Sequence, residues 1–207
     1  MKNSFKAFIV VAAIGSFAFI SPKNNETKQI NVVIDAGHGG KDFGVTHDNF
    51  TEKEIVEKIS NKIKALNTNK NIVIHLTRND DSFVTLNERT DLVNKIKPDM
   101  LLSLHVNQVK NTTASGVRFF TSNEDNINYG KSTEMASKLS KKFEENHQIN
   151  IGTISKAPLY VLKNAQVPAV MVELGFLTNE NDRKWITNEK EQDRIAQTIL
   201  EFIGEIE

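Results

Sequence analysis

Asn31-Val32-Val33-Ile34-Asp35-Ala36-Gly37-His38-Gly39-Gly40 is the stretch that decides the fold. A short apolar, largely β-branched run reads as a buried strand, and the glycines after it read as a turn. An imidazole therefore stands where a strand gives way to a flexible loop. Along the rest of the chain, runs at 31–35, 72–76, 100–106, 116–121, 159–162 and 169–173 read as strands, and 52–66, 86–96, 132–147, 181–185 and 189–203 as helices. Strands interleaved with helices predict a single α/β domain. We expect a twisted, mostly parallel mixed sheet of about six strands, flanked by helices on both faces.

The chain has 207 residues, a size that suits one catalytic domain without sizeable accessory modules. Its 26 Lys+Arg balance 26 Asp+Glu, whereas binders of a phosphate backbone usually carry a strong basic excess, so no nucleic-acid partner is expected. With no cysteine, disulfides, thiolate zinc sites and a thiol nucleophile are excluded.

Residues 1–21 differ from the rest. Lys2 and Lys6 precede an apolar run at 7–20 that is short for a bilayer span and fits a secretory signal. We read residues 1–21 as a signal peptide cleaved near residue 21, residues 22–29 as a polar tether, and residues 30–207 as the catalytic domain. Cleavage leaves a mildly acidic, exported protein, periplasmic or extracellular, with no stable membrane association.

Three ionisable groups close three of the strands: His38, His105 and Glu173. Open α/β sheets bind ligands beyond the carboxyl ends of their strands, so the three can converge on one rim. Two histidines that hold a metal need a further ligand, and the helix after Thr51 offers Glu52, Glu54 and Glu57. Ile55, Val56, Ile59, Ile63 and Leu66 form its apolar stripe, and Glu52 shares that face. Glu54 and Glu57 fall with Lys53, Lys58, Asn61 and Lys64 on the polar side, and Thr51-x-x-Glu54 reads as a capping box. A plainer reading leaves Glu52 as a first-turn anion favoured by the helix dipole.

Other polar residues receive plainer roles. His75, inside a strand, reads as a packed core histidine. His147 ends a helix, where a cation suits the dipole, and His47 is borne on a loop. Arg78 and Arg89 are expected to hold loops or carboxylates. Asn107 either touches substrate or braces His105, and the sequence leaves both open.

Asp35-Ala36-Gly37-His38-Gly39-Gly40-Lys41-Asp42, Glu52-Lys53-Glu54, Leu76-Thr77-Arg78, Leu86-x-x-Arg89, Ser103-Leu104-His105-Val106-Asn107, Pro158-Leu159-Tyr160-Val161-Leu162 and the run from Pro168 to Asn179 follow one another in this order. Together they resemble the zinc-dependent N-acetylmuramoyl-L-alanine amidases, cell-wall hydrolases with the type 3 amidase catalytic domain. The resemblance spans residues 31–203. Departures are mild: Ala36 stands where the family often has proline, Val106 where it often has alanine, and Thr178 where it often has serine. The loop between His38 and Glu52 also lacks the family's usual second glycine cluster.

The resemblance implies one zinc ion held by His38, Glu52 and His105, with Glu173 as the catalytic carboxylate. It implies hydrolysis of the amide between N-acetylmuramic acid and L-alanine, with peptidoglycan or muropeptides as substrate; substrate-binding residues stay unassigned. Two other readings are a zinc amidohydrolase acting on another amide and a non-catalytic exported wall-binding protein. Some division-associated members of the family carry an inserted helix that blocks the zinc. Here only residues 122–131 follow the corresponding strand, so no obligatory activator is expected.

Overall fold

The computed structural model describes residues 29–206. The expected signal peptide and most of the expected tether lie outside the described residues. No described helix is long and apolar enough to cross a membrane. In chain order the elements are β1 (Ile30–Ala36), β2 (Thr46–His47), β3 (Phe50–Thr51), α1 (Glu52–Leu66), β4 (Ile72–Leu76), α2 (Leu86–Ile96) and β5 (Met100–Asn107). There follow β6 (Val117–Thr121), α3 (Tyr129–Asn146), β7 (Ile151–Lys156), α4 (Tyr160–Asn164), β8 (Ala169–Phe176), α5 (Glu180–Thr187) and α6 (Glu189–Ile203).

Six strands form one sheet in the order β4-β1-β5-β8-β6-β7, and β2 and β3 form a separate small hairpin. β1, β4, β5 and β8 run parallel, whereas β6 pairs antiparallel with β8 and carries β7 parallel to itself. The expected mostly parallel mixed sheet is therefore present, with helices on both faces.

Alternation along the strands separates two cores of unequal size. Val32, Ile34, Leu102, Leu104, Val170 and Val172 pack with Ile55 and Ile59 of α1, Leu139 and Phe143 of α3, and Ile195 and Ile199 of α6. On the opposite face Val33, Leu101 and Met171 join a smaller cluster with Val93 of α2, Val161 and Leu162 of α4, and Ala165 and Val167 just beyond it. That smaller cover ends partway along the strands. The next residues on the same face, Asp35, Ser103, His105 and Glu173, reach the carboxyl ends of their strands where polar chemistry replaces apolar packing.

The structure corrects several expectations. Residues 159–162, read as a strand, instead enter helix α4, whose Val161 and Leu162 are buried against the smaller core. A four-residue apolar run carries no period that separates strand from helix. The sixth strand is β7, an edge strand whose Gly152, Thr153 and Ser155 mask its alternation. Helix α3 begins at Tyr129, three residues before the expected start. A full capping box forms at Thr85 and Glu88. At α1 the Thr51 hydroxyl accepts from the Glu54 backbone N–H and donates to the Glu54 carboxylate, so the cap is made without the reciprocal backbone bond.

Candidate metal centre

His38 leaves β1 with φ +59°, the left-handed region that L side chains enter at a cost. Two arginines hold the backbone there. Arg78 donates from Nε to the Ala36 carbonyl at 3.0 Å and from Nη2 to Gly37 at 2.9 Å. Arg89 donates from Nη1 to Ala36 and from Nη2 to His38, both at 2.6 Å. Three successive carbonyls thus accept charge-assisted bonds from buried guanidiniums. Arg89 is itself neutralised by buried Asp35 at 2.6 Å, which also accepts from Thr77 at 2.8 Å and Ser103 at 2.7 Å. Burial opposes ionisation of Asp35, but Arg89 and Ser103 prevail and hold its carboxyl below the usual range.

The three candidate ligands come together. Glu52 Oε2 lies 3.1 Å from His38 Nε2, and Glu52 Oε1 lies 2.8 Å from His105 Nδ1. One donor atom from each residue falls within 4.8 Å of the others, close enough together for the three to hold a metal ion. Glu52 is 2% exposed, as its place on the apolar stripe of α1 requires. Its oxygens also accept backbone N–H groups from Val45 and Val106, each at 2.9 Å. Burial opposes its charge, yet bonds from His105 and His38 hold the carboxyl well below the ordinary carboxylate range. For His38, burial lowers the pKa, but bonds and charge from Glu52 and Asp42 outweigh it and the net shift is upward. A site that draws a proton onto its imidazole in this way is electrostatically suited to a cation.

Close approach explains two glycines. A Cβ on Gly37 would stand 2.4 Å from the His105 ring, and one on Gly44 would stand 2.4 Å from Glu52 Oε2 and 2.6 Å from His38. Each space is taken by a side chain of the cluster.

Glu173 sits opposite His105 in the β5–β8 register, so both project from the same face. Burial raises its carboxyl pKa, while a hydrogen bond from Asn107 and the charges of His105 and Arg118 pull against that rise. Asn107 Nδ2 donates to Glu173 Oε2. Asn107 thus bonds Glu173 and makes no bond to His105, the brace the sequence offered for it. A register shift between His105 and Asn107 accompanies the contact, with Gly175 at φ +117° in β8.

The remaining histidines stay apart from the cluster. His47, in the small hairpin, lies 3.8 Å from Asp48, and His75 is a half-buried residue of edge strand β4, less enclosed than expected. His147 caps α3 but is buried between Phe143 and Trp185, and burial pushes its imidazole down to about 4. It is therefore neutral at pH 7, not the helix-end cation expected. Lys53, read as part of the polar face, is also buried, donating to the Gly40 carbonyl and Asp81 at 2.8 Å each.

Sequence reasoning missed Asp42. Its Oδ2 meets His38 Nδ1 at 2.9 Å, which sets the tautomer that turns Nε2 toward Glu52. A carboxylate four residues beyond a candidate ligand, across a glycine turn, was the available signal.

A mixed α/β sheet carrying two imidazoles and a carboxylate in one cluster, with a second carboxylate beside them, has the donor types of metal-dependent hydrolases. The chain belongs to the N-acetylmuramoyl-L-alanine amidase family, whose model matches residues 32–205. It is 31% identical over 176 residues to the uncharacterised protein YqiI of Bacillus subtilis, covering 83% of this chain and 82% of that one. It is 30% identical to the probable cell wall amidase LytH of Staphylococcus saprophyticus, over 87% of this chain, and spans only 60% of that relative's length. The crystal structure of N-acetylmuramoyl-L-alanine amidase from Clostridium difficile 630 superposes with a TM-score of 0.80 at 31% identity, covering 86% of this chain and 96% of that one.

Proposed function

We propose that this chain is an exported zinc amidase that cleaves the bond between the lactyl group of N-acetylmuramic acid and L-alanine of the stem peptide. The observation that carries this reading is the convergence of His38, Glu52 and His105, with Glu173 as their neighbour across β5 and β8. Two imidazoles and one carboxylate are a donor set of catalytic zinc sites, which keep a position open for substrate or water. When bound there, zinc supplies a lowered water pKa and polarisation of the scissile carbonyl.

The remaining chemistry belongs to the chain. Glu173 accepts a proton from the attacking water and returns it to the departing L-alanine nitrogen. Partial burial suits both tasks, because it raises the carboxyl's proton affinity toward the working pH. Asn107 holds one carboxylate oxygen and so fixes the direction in which the acid faces. Asp42 orients His38, and the Arg78 and Arg89 clamp keeps the His38 backbone in its left-handed turn.

The segment between β6 and α3 is short, and the site opens on two clefts that meet at His38 and His105. This supports activity without a partner that displaces a plug. The substrate assignment is tested by mass spectrometry of muropeptides digested with the zinc-loaded protein. Stem peptides with free L-alanine amino termini are expected; release of acetate or of internal peptide fragments would assign a different amide.

A further inference from the structure

We propose that the stem peptide leaves the metal cluster over Glu173 and that Arg118, one strand further on, receives the carboxylate of the residue after L-alanine. This deepens the amidase reading above and rests on it.

β6 pairs antiparallel with β8, placing Arg118 opposite Glu173 and Phe119 opposite Val172. Directly opposed residues share a face of the sheet. Phe119 and Val172 both enter the larger core, so Arg118 and Glu173 project to the other side, where His105 also lies. His105, Glu173 and Arg118 therefore form a row across three adjacent strands, about 4.8 Å apart from strand to strand.

Among the described residues, Arg118 differs from every other arginine. Arg78, Arg89, Arg183 and Arg194 each donate to a carbonyl, a carboxylate or both. Arg118, a half-buried residue, has no such acceptor; its guanidinium carbon lies over the Phe176 ring, 4.6 Å from the centroid. A guanidinium held against a ring in this way can still offer its N–H donors to a planar, bidentate partner such as a carboxylate.

The direction of the substrate follows from the chemistry. Glu173 returns a proton to the leaving nitrogen, so it lies on the leaving-group side, and that nitrogen belongs to L-alanine. The peptide half must run past Glu173, and the acyl half past the opposite cleft, where Phe83, Leu86 and Tyr160 stand exposed. Two extended residues span at most about 7 Å, so the second residue's carboxyl falls within one strand spacing plus the reach of an arginine side chain.

The test compares kcat/KM of the zinc-loaded protein on two disaccharide tetrapeptides, one with D-glutamate and one with its α-amide at the second position. The wild type is expected to prefer the acid by roughly tenfold, the scale of a charge-assisted hydrogen bond. Arg118→Gln should bring the ratio close to one through a higher KM for the acid, and Arg118→Lys should retain part of the preference. Zinc content, measured in all three proteins, should be the same. Equal wild-type rates on the two substrates, or an unchanged ratio in Arg118→Gln, would overturn the assignment while leaving the amidase reading intact. Failure of the wild type to cleave either substrate would overturn both.

Discussion

Asp42 Oδ2 lies 2.9 Å from His38 Nδ1, on the far side of the imidazole from Glu52. The carboxylate is about half exposed and its other oxygen accepts only the backbone N–H of Gly44, so little of the core depends on it. Asp42→Ala should weaken zinc binding about 10- to 100-fold, the usual consequence of losing a partner that orients a ligand. Its melting temperature without metal should barely change. Competition against a chromophoric chelator measures this; wild-type affinity in the variant would show that Asp42 does not orient His38.

Arg89 and Asp35 pair at 2.6 Å, both nearly inaccessible to solvent. Removing one partner strands the other as a buried charge, at a cost of about 3–5 kcal/mol. Arg89→Met should lose stability on that scale in urea denaturation. Asp35→Asn combined with Arg89→Met should recover part of it, because the stranded charge is then gone. Equal losses in the single and double variants would show that the carbonyl clamp, not the charge, is what matters.

His147 gives the fold a dependence on pH. Its imidazole titrates at about 4 when folded, against an ordinary 6.5, because burial and then the nearby Arg194 disfavour the cation. Between these values the unfolded chain binds a proton that the folded chain does not, so stability falls as pH falls from 6.5 toward 4. The full difference is worth roughly 3 kcal/mol, and about 2 kcal/mol of it is already lost at pH 5. His147→Phe removes the titrating group while keeping a ring beside Phe143 and Trp185. Its stability should decline less than that of the wild type from pH 7.5 to pH 5; parallel declines would contradict the assignment.

Glu173→Gln keeps the shape of the side chain but removes its capacity to accept a proton. Turnover of muropeptides should fall by roughly two or more orders of magnitude, while zinc content and melting temperature stay at wild-type values. Retained turnover would exclude Glu173 as the proton acceptor.

The parts legible in the sequence were those encoded by periodicity. The 3.6-residue stripe on α1 selected Glu52 among three nearby carboxylates, and the structure buries it between His38 and His105. A strand end followed by glycines marked His38, which the structure brings into the cluster with Glu52 and His105. Arg78 and Arg89, expected to hold loops or carboxylates, hold both: Arg78 pairs with Glu57 and Arg89 with Asp35, and together they bond the carbonyls of Ala36, Gly37 and His38. What escaped depends on groups that sequence reading does not locate. His147 lost its expected charge because α6 and Trp185 cover it, a tertiary effect invisible at a helix end. Strand β7 escaped because an edge strand with one partner need not alternate.

Equilibrium zinc titration of the wild type, His38→Ala and His105→Ala tests the metal centre most directly. One tightly held ion per wild-type chain is expected, with a large loss of occupancy in each variant and the fold preserved by circular dichroism. Full occupancy in either variant, or no zinc bound by the wild type at any concentration, would contradict it.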